Sequence, residues 1–326
     1  MRLPGLLFVL SLATGILAQY TNSTNCTSSN PNPIDSSPNS SCPTTNCSSI
    51  VITKVTPSYW RATFSSPPFN IQNTAWYTCF YDIITKIAAS PDVKVVVWDA
   101  VPEAPFWIAH YDIINGVAPE VISGWWANVT KLANLPVLNV AAIRGIARGG
   151  GAELAAALDV RFASKEKGKL GQIEVAVGGM PGGGGMELIP RLVNRGRALE
   201  IILGADDLDA ETAALYGWIN RAIPDAQFVS FVDAFARRVS SYDAYAIKHA
   251  KEMINKRTGF PTVEEQRESE EAFDTAASQG VVAQRIGALV EAGLQTNLDF
   301  ELDITENLLE YQGNGPWPST DDQERK

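Results

Sequence analysis

"RGIARGGGAELAAALDVRF", residues 144–162, sets Gly149, Gly150 and Gly151 directly before a run of Leu and Ala, with Glu153 in its first turn. Upstream, "PVLNVAAI" is an unbroken apolar run of the kind found in a strand buried on both faces. A strand feeding glycines and then a helix is the place where parallel sheets bind ligands. The first amides of a helix lack partners and carry partial positive charge, and glycine lets another group approach them closely. The three glycines therefore read as a surface that donates backbone hydrogen bonds to a negative oxygen, or as a tight strand-to-helix turn with no ligand. Neither G-x-x-x-x-G-K-[ST] nor a G-x-G-x-x-G with a following ribose-binding acid is present, which speaks against a nucleotide-phosphate loop.

Around this stretch the pattern alternates. "IVITKVTPSYWRATFSS" reads as two strands about a turn at Pro57-Ser58, and "TAWYTCFYDIITKIAAS" places Trp76, Phe80, Ile83, Ile84 and Ile87 on one helical face. "DVKVVVWDA" is a second buried strand, a helix is expected over 121–133, and "VRFAS" closes the series. Strand–helix alternation of this kind predicts an α/β fold with a mostly parallel sheet. From about Phe228 the pattern is helical. No internal repeat is visible.

A second acid, Glu174, stands beside another glycine-rich stretch in "KLGQIEVAVGGMPGGGG". Each glutamate alone has a plain reading as a surface acid favoured by a helix dipole. Two carboxylates on glycine-lined turns beside free amides form a general acid/base constellation.

These residues carry a resemblance. "GGGAELAAALDVRFAS", "LGQIEVAVGGMPGGGG", "FWIAHYDI" and "ADDLDAETAALYGWINRAIP" resemble, in order and spacing, segments of the crotonase superfamily, the enoyl-CoA hydratases and isomerases. The likeness runs from about residue 50 to 309. It implies a crotonase-like ββα-superhelix core over 50–227 and a C-terminal helical region over 228–326. It also implies Glu153 and Glu174 as catalytic acids, the backbone amides of Tyr111 and Gly150 as an oxyanion hole, and substrate contacts at His110, Gly149, Gly151, Pro181 and Gly182. His110 stands where the family usually has Gly, Ile173 where it commonly has Pro, and "PPFNIQ" departs from the usual start of the CoA-contacting region. Arg144, Arg148, Arg161, Lys165, Lys167 and Lys169 read either as contacts for CoA phosphates or as a solvated basic loop. No cofactor or metal is expected, CoA entering only as part of a substrate. The resemblance further implies a homotrimer or hexamer assembled through the C-terminal helices.

The N-terminus points elsewhere. Residues 1–18 read as a signal peptide: Arg2, then a short apolar run ending at Ala18. Residues 19–49 are dominated by Ser, Thr, Asn and Pro, a composition that cannot bury enough apolar surface to order itself. They hold sequons at Asn22, Asn25, Asn39 and Asn46, with a further one at Asn128, so a secreted or secretory-pathway glycoprotein is expected. Cys26, Cys42 and Cys47 lie in this tail. Cys79 reads as a buried core thiol, leaving one tail cysteine unpaired, or else as the partner of a tail cysteine. A net charge of −10 over 326 residues argues against nucleic acid and anionic membranes as partners, and the apolar N-terminal run is short for a stable span.

Three functions follow as alternatives. One is a lyase or isomerase acting on an enoyl thioester. Another is a secreted enzyme of the same fold acting on a non-CoA enolisable carbonyl. The last is a secreted, non-catalytic binding glycoprotein.

Overall fold

The computed structural model describes residues 47–310. The signal peptide, the sequons at Asn22, Asn25, Asn39 and Asn46, and Cys26 and Cys42 lie outside the described residues.

An antiparallel hairpin of β1 (Ile50–Thr56) and β2 (Tyr59–Phe64) opens the domain. It leads into α1 (Thr74–Ala89), whose first turn is capped by the Asn73 side chain accepting from the Trp76 amide. The buried strand β3 (Val95–Ala100) then turns sharply into a three-residue strand, β4 (Phe106–Ile108). The same step recurs twice. After α2 (Pro119–Ile122) and α3 (Trp125–Asn134), β5 (Leu138–Ile143) runs into β6 (Ile146–Arg148) and α4 (Gly150–Ala157). Then β7 (Val160–Ser164) runs into β8 (Lys169–Gly171) and a single 3₁₀ turn, Glu174–Val177. The long members pair as β1-β2-β3-β5-β7-β10, parallel from β2 onward, with β10 at Arg221–Ile223. The short ones form a second sheet, β4-β6-β8-β9, closed by β9 (Asp207–Asp209) antiparallel to β8. This is the ββα superhelix expected from the resemblance.

Successive turns of the superhelix meet through glycine. A Cβ on Gly145 would stand 2.6 Å from the Pro105 carbonyl, so the β5–β6 corner can nest on the β3–β4 corner only without a side chain. One face of the long sheet is covered by α1, α3 and α4 through an aromatic cluster of Phe64, Trp76, Phe80, Trp98, Trp107 and Trp125. The other face takes Phe228 and Val232 of α8 (Asp225–Ser240) against Tyr59, Val95, Val97 and Phe162. The helical region begins at Asp225, slightly ahead of Phe228, and its first helix belongs to the sheet's core.

The helix expected over 121–133 is two helices. Gly124 lies between them, and a Cβ there would stand 3.3 Å from both the Tyr81 ring and the Val121 carbonyl. Between β8 and β10 lie α5 (Gly185–Val193), α6 (Arg195–Gly204) and α7 (Ala210–Tyr216). The chain ends in α9 (Ala244–Thr258), α10 (Val263–Ala277), α11 (Gly280–Ala292), α12 (Leu298–Leu302) and α13 (Ile304–Glu310).

Cys79 is 4% exposed on α1 and is bonded to Cys47, with the two Cα atoms 5.4 Å apart. Of the two cysteine readings, pairing with the tail side is the one found. The bond spans 32 positions and fastens α1 to the strand that starts the sheet. Closing a loop of that size contributes about 4 kcal/mol through the unfolded chain. Cys79→Ser should therefore lower the melting temperature of oxidised protein. Dithiothreitol should bring wild type down to the variant's value, which differential scanning calorimetry in both redox states measures directly.

Candidate active site

The site grows from the end of β6. Gly149 follows Arg148 at φ +47°, a backbone open to glycine, and its amide donates to the Gly171 carbonyl of β8 at 3.0 Å. Gly151 is buried. A Cβ on it would lie 2.5 Å from the Ile108 carbonyl and 2.8 Å from the Ile108 Cβ. That approach presses the N-terminus of α4 against the end of β4, and so against the segment carrying His110 and Tyr111. Gly151 thus does its work in packing, not against a ligand.

The peptide between His110 and Tyr111 is held by one edge. Its carbonyl accepts from the Gln72 amide at 3.0 Å, and the next amide, that of Asp112, donates to the Gln72 carbonyl at 3.1 Å. The Tyr111 N–H, on the opposite side of that peptide, therefore points away from Gln72. Gly150, at the first position of α4, has no helical partner for its own N–H. Among the described residues neither amide donates to an acceptor. The Gln72 side chain fills the space beside Gly150, its Nε2 donating to the Gly150 carbonyl at 3.4 Å.

Both glutamates reach this place. Glu153, 5% exposed in the first turn of α4, accepts at Oε1 from the amides of Gly183 (2.8 Å) and Gly185 (2.9 Å). Glu174 opens the 3₁₀ turn after β8, and its Oε1 lies 2.8 Å from where a Gly149 Cβ would stand. Its Oε2 is buried without a hydrogen-bond partner among the described residues. Burial raises both carboxyls. Glu153 goes to about 7, held down by its two amides, and Glu174 to about 8, pushed further by the charge of Glu153. The pair titrates as a unit.

Pro181 is buried against Gly185, and Gly182 lies under the Phe273 ring of α10. The glycine-rich loop therefore sits between Glu153 and the C-terminal helices. Trp125 donates from Nε1 to the Gly183 carbonyl at 2.9 Å, and Gln172 from Nε2 to the Gly149 carbonyl at 3.2 Å; these supports were not singled out from sequence.

Two sequence expectations need correction, those for His110 and for the basic residues. His110 has no ring nitrogen to offer a substrate. It is 2% exposed, with Nδ1 at 2.7 Å from the Tyr111 carbonyl and Nε2 at 3.1 Å from Glu301 Oε1. The three arginines are committed within the fold, whereas the lysines of "SKEKGKL" are exposed, as the solvated-loop reading expects. Arg144 forks onto Asp225, Arg148 onto Asp207, and Arg161 donates to the Trp218 and Leu158 carbonyls. Lys165 pairs with Glu211 and Lys167 with Asp225, while Lys169 is exposed on β8. The Asn128 nitrogen that would carry a glycan lies inside α3 and donates to the Gly124 carbonyl at 2.9 Å.

The chain that builds this crossing of β6 and α4 has counterparts among known proteins. The profile of the enoyl-CoA hydratase/isomerase family matches residues 62–285. The chain belongs to that family and to the crotonase superfamily. It is 31% identical over 168 residues to a probable enoyl-CoA hydratase of Mycobacterium bovis, covering 52% of this chain and 59% of that protein. It is 37% identical over 134 residues to the mitochondrial methylglutaconyl-CoA hydratase of Rattus norvegicus, covering 40% and 42%. The chain thus matches less than two thirds of the length of these curated relatives. Among solved structures, an enoyl-CoA hydratase candidate from Streptomyces avermitilis superposes with a TM-score of 0.73 at 34% identity, over 80% of this chain and 96% of that one.

For this crotonase-fold chain the buried acid pair makes a stability prediction. A carboxyl whose folded value lies above its ordinary 4.5 favours the folded state only where it is protonated. The pair's contribution to stability should therefore be greatest below about 4.5 and be lost as pH rises through about 8. Glu174→Gln removes one ionisation. Urea melts between pH 5 and 9 should show the variant gaining on wild type as pH rises, with the gap widest above pH 8.

Proposed function

We propose that the chain hydrates an α,β-unsaturated thioester, or dehydrates the corresponding β-hydroxy thioester. The observation that carries this reading is the pairing of two buried, mutually coupled carboxyls with two unpaired amides on one glycine platform. Hydration needs that set. The carbonyl oxygen accepts from the Tyr111 and Gly150 amides, which stabilise the enolate-like anion as it forms. Glu153, its Oε1 fixed by Gly183 and Gly185, takes a proton from water through Oε2 while the water oxygen bonds to the β-carbon. Glu174, the acid with the higher value, gives its proton to the α-carbon. Proton exchange within the pair and with solvent restores the starting state. Activity should form a narrow bell, limited near 7 by loss of the Glu153 base and near 8 by loss of the Glu174 acid.

A second reading keeps the chemistry and changes the carrier. Arg144, Arg148 and Arg161 are committed within the fold, and Lys165 and Lys167 pair at the surface with Glu211 and Asp225, which favours a thioester or activated carbonyl without a nucleotide. Export supports it: the signal-like start, the sequon-rich tail and the Cys47–Cys79 bond all suit an oxidising compartment. We place the protein in the secretory pathway on those grounds, and expect a homotrimer or hexamer by light scattering.

Loss of the enoyl absorbance of crotonyl-CoA tests the chemistry. Wild type should turn over, and Glu153→Gln and Glu174→Gln should each lose about 10²–10⁴ in kcat while remaining folded. Full activity in both variants rules the mechanism out. Calorimetry with acetyl-CoA separates the carriers: micromolar binding supports the CoA thioester, and its absence the nucleotide-free substrate.

A further inference from the structure

A second buried polar cluster lies behind the oxyanion segment and is contributed largely by the C-terminal part of the chain. Glu301 of α12 is fully buried and meets His110 Nε2 through Oε1. The Gln295 amide donates to that same oxygen at 2.7 Å. The Gln295 side chain then spans to the segment after Tyr111. Its Oε1 accepts from the amides of Ile113 (2.6 Å) and Ile114 (3.0 Å), and its Nε2 donates to Asp112 Oδ1 at 3.0 Å. Gln295 does this at φ +61°, a left-handed backbone that side-chain-bearing residues seldom adopt and that surrounding structure must hold in place. Arg148, fully buried, donates to the Glu301 and Leu302 carbonyls while its guanidinium also grips Asp207.

With Glu301 ionised, the hydrogen-bond inventory favours the imidazolium form of His110. A carbonyl oxygen and a carboxylate oxygen, both acceptors only, face its two ring nitrogens. A neutral imidazole has one N–H and would leave one facing pair without a proton, whereas an imidazolium serves both. The charges agree: burial lowers His110, but the Glu301 carboxylate outweighs it and raises the ring, while His110 in turn holds Glu301 low.

We propose that His110, clamped as an imidazolium between Glu301 and the Tyr111 carbonyl, acts with Gln295 as a positioning brace that fixes the direction of the Tyr111 N–H. The C-terminal segment 295–302 is then part of the oxyanion hole's support. The proposal rests on reading that N–H as an oxyanion donor. The Gln72 amide holds the peptide before Tyr111 from one side, and the His110–Glu301–Gln295 set holds the peptides after it from the other. An apolar pair would fill the same volume without the desolvation of two charges. What the charged pair adds is a bond aimed at the Tyr111 peptide.

The test uses the full chain labelled with ¹⁵N-tyrosine, which carries nine tyrosines, with Tyr111→Phe identifying the Tyr111 resonance. The variants are Glu301→Gln and Gln295→Ala, neither a sequence neighbour of Tyr111. The Tyr111 amide should shift in both, while the exposed Tyr242 and Tyr245 stay in place. With crotonyl-CoA, kcat should fall about tenfold to a hundredfold, and KM should change by less than about threefold. A Tyr111 resonance unmoved in the folded variants, with or without a lower melting temperature, overturns the brace. If Glu301→Gln does not fold, Gln295→Ala alone decides. A wild type that hydrates no thioester while its Tyr111 amide still responds to Gln295→Ala sinks the proposed chemistry and leaves the brace standing.

Discussion

The structure depends on the contact between Gly151 and Ile108. Three ββα turns are stacked so that the end of one short strand lies under the start of α4, and at 2.5 Å from a carbonyl there is no room for even a methyl group. Because the backbones touch, the segment carrying Tyr111 and the first turn carrying Gly150 and Glu153 are brought to one place. A side chain at 151 would push α4 away from β4 and separate the amides that the site uses together. Gly151 is thus a packing requirement at the same crossing that gathers the two unpaired amides and the acid.

The same crossing sets the electrostatics. Two carboxyls buried side by side work against the fold wherever both are ionised; Glu153 has the Gly183 and Gly185 amides to soften the burial, Glu174 only its own backbone amide. The surroundings offset this elsewhere. The aromatic layer between α1, α3 and the long sheet contains no charge, and the Cys47–Cys79 bond restrains the unfolded chain. The C-terminal helices complete the enclosure. Phe273 covers Gly182, and Val281 and Val282 lie 3.5 Å from where a Gly178 Cβ would be, so water reaches the pair only through what these helices leave open. Raised carboxyls and an enclosing helical layer are linked, since removing the layer would return both acids toward ordinary values.

Much of this was legible in the sequence, for identifiable reasons. The long strands and α1 announce themselves because burial on both faces demands unbroken β-branched runs and helical packing demands a 3.6-residue stripe. The buried acid pair was legible because both glutamates stand beside glycine clusters at turns. The short strands β4, β6 and β8 were not, since three residues cannot display a period. Gly124 splitting one expected helix into two was missed for a related reason: an isolated glycine inside a helical pattern does not by itself say whether the helix continues. The His110–Glu301 contact spans 191 positions, and nothing local to either residue marks it. His110 looked like a substituted loop residue because its partner, in "FELDI", reads as one more acid on a polar helix.

The basic residues show how composition misleads about a site. Six cations near the glycine platform, in a chain of net charge −10, invite assignment to an anionic ligand. The fold instead uses Arg148 to join β9 to the C-terminal segment, Arg161 to terminate α4, and Arg144 to fasten α8 to the end of β5. Arg161 illustrates the cost: buried among carbonyls without a bound carboxylate, it is pushed down to about 10. These three arginines are consumed inside the fold, while the lysines of the loop stay at the surface. Dipoles act over short range and do not distinguish carriers. Two unpaired amides therefore act on a group that reaches them and exert little pull on a distant charge.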